Sequence, residues 1–237
     1  MHNLVLALTL LLGSLHAGAA PDAQLAPPHY IFSSGEQHVS LLELYTSEGC
    51  SSCPPAEAWL GRLLAHPDLW RGIVPVVFHV DYWDDLGWKD PYSTADNSQR
   101  QRRYQTEGGI NSVYTPGFVL NGSEWRGWFS GQSLPTRTAP SGLLNVELSN
   151  GKIAASFHDE HAARESLELQ VALLGFDLTT QVPAGENRGK ALTHQFVVLE
   201  RTTAVSDSNS WTLEAPQSTV AGDKRALAVW VLSLIHI

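Results

Sequence analysis

Two cysteines, Cys50 and Cys53, constrain this chain more than any other feature. They are the only cysteines among its 237 residues, and they stand three positions apart. The apolar run 39–45, which is typical of a buried strand, precedes them, and Pro54-Pro55 follow them at the head of a helical pattern. Proline suits a first helical turn because that turn leaves its N–H groups unpaired. The pattern therefore predicts a strand, a cysteine pair at a helix N-terminus, and the helix itself.

Three interpretations of the pair are open: a structural disulfide, a metal site and a redox centre. A disulfide across so short a loop stabilises by only about 2 kcal/mol in the chain-entropy treatment, against about 4.7 kcal/mol for a 100-residue loop. Two thiolates alone are too few ligands for a closed tetrahedral metal site. Cysteines at this spacing beside a strand–helix unit are typical of redox motifs, and a helix N-terminus favours the thiolate. We therefore predict that Cys50 is the nucleophile and Cys53 the resolving thiol.

The charge balance excludes one large class of partner. The formal net charge is −9, and the apolar content of 43% is ordinary for a globular chain. Nucleic-acid binding needs clustered positive charge. We therefore expect no nucleic-acid partner, and expect protein thiols or disulfides and an unknown redox partner instead.

Both ends of the chain carry signals of processing. Residues 1–20 are interpreted as a signal peptide, because the apolar run Leu4–Leu12 precedes the small residues at 17–19. The run is too short to span a bilayer. We predict an exported protein, periplasmic or secreted, with no membrane span after signal cleavage. Residues 21–38 are interpreted as a flexible leader, and 232–237 as a non-native tail on a truncated chain.

Residues 39–142 alternate between strand-like and helix-like patterns. A second apolar strand covers 73–80, an acidic and aromatic loop covers 81–91, and Ser93 or Thr94 can cap a helix that runs to about Thr106. Asn121-Gly122 is a strong hairpin signal. Residues 143–231 contain short strand-like runs with turn signals such as Asn150-Gly151, a pattern that predicts a small β-sandwich.

The order of these elements resembles the thioredoxin superfamily over residues 39–142. More narrowly, the chain resembles an exported bacterial family known as domain of unknown function 1223. The motifs that carry this resemblance are Glu43-Leu-Tyr-Thr-Ser-Glu-Gly-Cys-Ser-Ser-Cys-Pro-Pro55, His79-Val-Asp-Tyr-Trp-Asp84, Gly87-Trp-Lys-Asp-Pro91, Val113-Tyr-Thr-Pro116, Gly185-Glu-Asn-Arg-Gly-Lys190 and His194. The resemblance implies an α/β thioredoxin-like domain at 39–142, followed by a small all-β, sandwich-like C-terminal domain at 143–231, which we predict to be truncated.

The resemblance also implies roles for residues away from the cysteines. Pro116 would follow a cis peptide bond, face the cysteine pair and present backbone to a substrate segment, with Thr115 beside it. Glu43 and Asp81 lie near the ends of the two central strands, where either could relay a proton to Cys53. Thioredoxin itself has tryptophan at the position of Gly49.

The predicted function is exported thiol–disulfide exchange through the Cys-Ser-Ser-Cys pair, with no cofactor. One alternative is a metallochaperone-like protein in which Cys50, Cys53 and His79 bind copper, because thiolate and imidazole suit that metal. Another is a binding module that keeps a structural disulfide. The segment Gly185–Lys190 has three residues between its glycines, where a phosphate loop has four, so we interpret it as a constrained turn that docks the C-terminal part onto the redox part.

Overall fold

The computed structural model describes residues 29–35, 37–135, 141–159 and 166–233. Within these ranges, 44% of residues are in strands or bridges and 16% are helical. The two α-helices described are α1, Pro54–Gly61, and α2, Ala95–Thr106. The strands described are β1 (His29–Ser33), β2 (Ser40–Thr46), β3 (Ile73–His79), β4 (Gly117–Leu120), β5 (Ser123–Glu124), β6 (Leu143–Ser149), β7 (Lys152–His158), β8 (Leu167–Gly175), β9 (Leu178–Gln181), β10 (Ala191–His194), β11 (Val197–Ser206), β12 (Ser210–Glu214) and β13 (Arg225–Ser233).

A mixed seven-stranded sheet forms the centre of the described structure, in the order β13-β8-β11-β3-β2-β4-β5. The β2–β3 and β3–β11 pairs are parallel, and the other pairs are antiparallel. Every residue of β2 and β3 is buried, as expected for strands covered on both faces. A four-stranded antiparallel sheet, β1-β6-β7-β12, and the β9–β10 pair complete the strands.

The predicted fold class is wrong. We expected an α/β thioredoxin-like domain and a separate, small all-β domain, but the described chain is mostly β, with mixed sheets and two short helices. The reason is that β8, β11 and β13 belong to the same sheet as β2 and β3. Strand β11 makes the connection, because it pairs with β3. An alternating pattern identifies a strand, but it does not say which sheet edge that strand joins. The domain boundaries themselves stay a prediction.

Local predictions in the same region are confirmed. Asn121-Gly122 connects β4 to β5 and Asn150-Gly151 connects β6 to β7, with positive φ at all four residues. Positive φ at both central residues is what a tight hairpin turn of this kind requires. Thr94 caps α2, because its hydroxyl oxygen accepts the N–H of Asn97 at 3.1 Å. These features depend on a few neighbouring residues, so they were predicted correctly although the fold class was not.

The two helices pack on opposite faces of the central sheet. Side chains alternate along β2, so Thr46 and Glu43 point to different faces. The Thr46 hydroxyl donates to Glu57 of α1 at 2.6 Å, whereas Glu43 accepts from Arg100 of α2 at 2.8 Å. The β2–β3 register pairs Thr46 with His79. His79 therefore lies on the α1 face.

The ends of the described chain are strands. Residues 29–33, within the predicted leader, form β1 and pair with β6. Strand β13 extends to Ser233 and so includes the first two residues of the predicted tail. The predicted signal peptide and residues 234–237 lie outside the described residues. Among the described helices, none has the length and apolar character needed to cross a membrane.

Candidate functional site

The cysteine pair lies in the turn between β2 and α1, as predicted. Cys50 and Cys53 form a disulfide, with their Cα atoms 5.5 Å apart. The Cys50 N–H donates to the Ser47 carbonyl at 3.1 Å, and the Cys53 N–H donates to the Cys50 carbonyl at 3.2 Å. The Cys53 carbonyl then accepts the N–H of Glu57, in the first turn of α1. Two consecutive tight turns therefore carry the disulfide from the strand into the helix.

The disulfide is covered, and only the residues between its ends face solvent. Cys50 is 1% exposed and Cys53 is fully buried, whereas Ser51 and Ser52 are exposed. The hydroxyl oxygen of Ser52 lies 3.3 Å from the Cys50 sulfur. Ser52 is thus placed to donate a hydrogen bond to a Cys50 thiolate when the disulfide is reduced.

A segment from the second half of the chain forms this cover. We name residues 182–190, which connect β9 to β10, the cover loop. The side-chain amide of its Asn187 donates to the carbonyls of Glu48 at 2.8 Å and Cys50 at 2.9 Å. Glu186 accepts the Ser51 N–H at 2.9 Å. The Gly185–Lys190 motif therefore docks on the cysteine turn, a position that its predicted role as a docking turn did not specify.

Trp83 lies between Thr115 and the cysteine turn. The indole N–H of Trp83 donates to the Thr115 hydroxyl at 2.9 Å. A Cβ at Gly49 would lie 3.0 Å from the Cβ of Trp83, which leaves little room for a side chain beside Cys50. The Thr115–Pro116 peptide bond is cis, as the resemblance implies. The β2–β4 register pairs Tyr45 with Gly117, which places this proline at the end of β2 that leads to the disulfide.

Beneath the cysteine turn, a buried histidine lies between two carboxylates. His194 Nε2 is 3.0 Å from Glu48, and its Nδ1 is paired with Glu57. Trp88 donates its indole N–H to the second oxygen of Glu48 at 2.7 Å. Burial lowers the pKa of His194, but the charge of Glu57 and the bonds to both carboxylates outweigh burial and raise it to about 10. Burial likewise raises the pKa of Glu57, but the charge and hydrogen bond of His194, together with His79 and Thr46, outweigh burial and lower it.

A second buried histidine lies against the first. His79 Nδ1 is 2.7 Å from Asp90, and the ring centroids of His79 and His194 are 4.9 Å apart. Asp90 also accepts the backbone N–H of Glu48 at 2.8 Å. His79 Nε2 is buried and has no hydrogen-bond partner among the described residues. We name these five side chains the His194 cluster: Glu48, Glu57, His79, Asp90 and His194.

The two carboxylates predicted as proton relays are bonded to α2. Glu43 accepts two hydrogen bonds from Arg100, at 2.8 and 2.9 Å, and is fully buried on the α2 face. Tyr45 and Tyr104 also donate to it. Asp81 accepts from the hydroxyl of Ser98. We name Glu43, Tyr45, Arg100 and Tyr104 the Glu43 cluster. The relay roles of Glu43 and Asp81 stay a prediction.

Sequence reasoning assigned no role to Glu48, Glu57, Asn187 or His194. One signal was present for Glu57, because it follows Cys53 by four residues and so lies on the same face of α1. His194 and Asn187 lay within the motifs that carry the family resemblance, but their contacts join residues about 140 positions apart. No short-range pattern could have indicated those contacts.

The comparison with family models agrees with the family that the motifs suggest. A family model described as "Protein of unknown function (DUF1223)" matches residues 41–232. The crystal structure of protein AGR_C_4864 from Agrobacterium tumefaciens is similar at 24% identity and a TM-score of 0.52, over 82% of this chain and 93% of that one. HBP35 of Porphyromonas gingivalis matches at 14% identity and a TM-score of 0.43, over 86% of this chain and 67% of that one. No curated protein matches.

Proposed function

We propose that this chain, which belongs to the DUF1223 family of proteins of unknown function, exchanges thiols and disulfides with protein substrates through Cys50 and Cys53. The observation that carries the proposal is the Cys50–Cys53 disulfide in the turn that leads into α1. The position of Pro116 adds support, because the register of Gly117 with Tyr45 places it at the end of β2 that leads to the cysteine turn. A purely structural bridge across three positions would contribute little stability.

The reaction balances without a cofactor. A substrate thiolate attacks Cys50 Sγ, a mixed disulfide forms, and the Cys53 thiolate leaves. A second substrate thiolate then attacks the substrate sulfur of that mixed disulfide, and the Cys50 thiolate leaves. The substrate is oxidised to a disulfide and the protein is reduced to a dithiol. In the reverse direction, the Cys50 thiolate attacks a substrate disulfide and Cys53 resolves the intermediate.

Neighbouring residues support these steps in different ways. Ser52, 3.3 Å from the Cys50 sulfur, would donate a hydrogen bond to the thiolate. Thr115 and Pro116 would align an extended substrate segment beside the pair. The proline rings of Pro54 and Pro55 remove two N–H groups from the start of α1, so the serine hydroxyl is a useful replacement donor.

The cover loop sets a condition on the reaction. Because Cys50 is 1% exposed, a substrate thiolate reaches it only after the turn and the cover loop separate. Asn187 holds them together through its bonds to Glu48 and Cys50, and Glu186 adds a bond to Ser51. We propose that substrate binding at the exposed Ser51-Ser52 surface displaces this loop.

The proposal has a direct test in trapping the mixed disulfide. Reduced Cys53→Ser should accumulate a covalent complex with a disulfide-containing model substrate such as insulin, because the resolving thiol is missing. Cys50→Ser should trap none, and Ser52→Ala should still turn over. Wild type should also catalyse insulin reduction with dithiothreitol. If neither variant forms a complex and the wild type is inactive, the proposal is wrong.

The reduction potential of the couple separates exchange from a structural bridge. A potential between about −120 and −270 mV, measured in glutathione buffers, belongs to exchange catalysts. A value well below about −300 mV belongs to a structural disulfide, and the binding-module alternative would replace the present proposal. The export predicted from residues 1–20 would suit an oxidised pair. The proposal therefore includes an exported location for the protein.

A further inference from the structure

Two buried histidines and one partly buried glutamate on the α1 face converge from different elements. Glu57 comes from α1, His79 from the end of β3 and His194 from the end of β10. Each offers one ligand atom, and the three atoms lie within 4.8 Å of one another. Small side-chain movements would bring atoms this close to about 2.0–2.2 Å from a shared ion, the usual zinc–nitrogen and zinc–oxygen distances.

One ring nitrogen of this group is buried and unpaired. Nδ1 of His79 lies 2.7 Å from Asp90, but its Nε2 is buried and no described residue bonds it. A buried polar atom without a partner costs roughly 1–3 kcal/mol. One explanation for such an atom in a native fold is an ion that binds there. If Asp90 accepts the proton of Nδ1, then Nε2 carries a free lone pair, which is the form that binds metals.

The other nitrogens are arranged as they are in metal sites. Histidines that bind metals usually donate their second ring N–H to a carboxylate, which fixes the ring orientation. Asp90 fills this position for His79, and Glu48, 3.0 Å from Nε2, fills it for His194. Both imidazoles therefore have a carboxylate on the side away from the shared point.

The charge of the cluster also favours a cation. Three carboxylates, Glu48, Glu57 and Asp90, contact the two imidazoles of His79 and His194. Even with both imidazoles protonated, the buried group has more negative than positive charges. Unbalanced charge is costly inside a protein unless a metal ion or another counter-ion compensates it.

We infer that Glu57, His79 and His194 form a binding site for a divalent first-row transition metal, with Zn²⁺ as the ion that best suits the donors. Two imidazoles and one carboxylate, with a fourth position left open, are a ligand set of catalytic zinc sites. The ion would take the place of the contact between His194 Nδ1 and Glu57. This site uses neither cysteine, so it differs from a copper site on Cys50, Cys53 and His79, and it does not depend on the proposed exchange activity.

Zinc binding to the oxidised protein tests the inference. The disulfide form is confirmed by the absence of titratable thiols, metal is removed with a chelator, and Zn²⁺ is added in a calorimetric titration. We expect one Zn²⁺ per chain, and Co²⁺ in its place should give visible d–d bands without a thiolate charge-transfer band. His79→Ala and His194→Ala should abolish the binding, and Asp90→Asn should weaken it roughly 10–100-fold.

The controls separate the ligands from the fold and from the cysteines. His38→Gln replaces another buried histidine, next to the opposite end of β2, and should bind Zn²⁺ as wild type does. The Cys50→Ser/Cys53→Ser double variant should do the same. If a ligand variant does not fold by circular dichroism, the Co²⁺ spectrum of wild type decides. The inference is overturned if the oxidised wild type binds no stoichiometric Zn²⁺ or if the Co²⁺ form shows a thiolate band. It is also overturned if binding survives both histidine changes.

Discussion

The Glu43 cluster and the His194 cluster lie on opposite faces of the central sheet. They differ in how completely their polar atoms are paired. In the Glu43 cluster, one carboxylate oxygen accepts from Arg100 and Tyr104, and the other accepts from Arg100 and Tyr45. Burial would lower the pKa of Arg100, but the charge and hydrogen bonds of Glu43, together with Tyr104 and Tyr45, raise it well above its usual value. Arg100 is therefore held protonated within a closed network.

The His194 cluster is also largely buried, but it is not closed. His79 Nε2 is without a partner in the described structure, and the backbone of Glu48 links the cluster to the disulfide turn through Asn187. A fully satisfied polar network makes a fold rigid and specific, whereas an unsatisfied one is costly. We conclude that the closed cluster is structural, and that the open one is where function should be tested.

The largest effect should come from opening the closed cluster. Arg100→Met keeps most of the side-chain volume but leaves Glu43 buried without its counter-charge, and removal of one partner of a buried ion pair costs roughly 3–5 kcal/mol. Urea unfolding should show this loss, and the disulfide potential should not change. Arg102→Met, at an exposed position on the same helix, should stay within about 0.5 kcal/mol of wild type. A loss below 1 kcal/mol from Arg100→Met would remove the distinction between the clusters.

The next effect is a pH dependence that belongs to the His194 cluster alone. In chelator-treated protein, the raised pKa of His194, about 10 against an ordinary 6.5, contributes stability that is complete below pH 6.5. That contribution is lost as pH rises through about 10, with a slope of at most about 1.4 kcal/mol per pH unit, the value for one proton. The measurement is the free energy of unfolding between pH 6.5 and 10.

His194→Gln is the matched comparison for that titration. It should flatten the slope, since the titrating group is gone, while Arg100→Met should lower the whole curve and keep the slope. Buried tyrosines such as Tyr104, whose pKa burial raises, affect stability only in the more alkaline range. An unchanged slope in His194→Gln would show that the cluster does not hold this proton.

A smaller effect should follow from releasing the cover loop. Asn187→Ala removes the bonds to the carbonyls of Glu48 and Cys50 and leaves buried acceptors unpaired, at a cost of about 1–3 kcal/mol. Because the loop covers the disulfide, dithiothreitol should reduce the variant faster than wild type. Asn111→Ala, at an exposed asparagine, is the control. Equal reduction rates in all three proteins would show that the loop does not limit access.

The smallest effect should come from an exposed ion pair. Lys224 Nζ lies 2.6 Å from Asp177, and both side chains are about half exposed or more. Lys224→Ala should change the free energy of unfolding by no more than about 0.5 kcal/mol, because solvent and salt screen exposed pairs. A loss as large as that of Arg100→Met would show that burial is not what separates the charged groups of this protein.

Several features of the site were predictable because they depend on neighbouring residues. Cys50 and Cys53, followed by Pro54-Pro55, indicated a cysteine pair between a strand and a helix, and the structure contains it as a disulfide. The resemblance to the thioredoxin superfamily implied a cis bond before Pro116, which the structure also contains. The partners of Glu43 were not predictable, because the sequence shows that it lies on a strand but not which face α2 would cover.

The local sequence is enough to specify the short-range structure: the cysteine turn, the cap of α2 and the two Asn-Gly hairpins. Each depends on backbone angles and hydrogen bonds within a few residues. The pairing of β11 with β3, and the position of β10 that brings His194 to Glu57 and His79, depend on the whole fold. Backbone hydrogen bonds between strands are the same for almost every residue, so a sequence pattern carries little information about which distant strand will supply the partner.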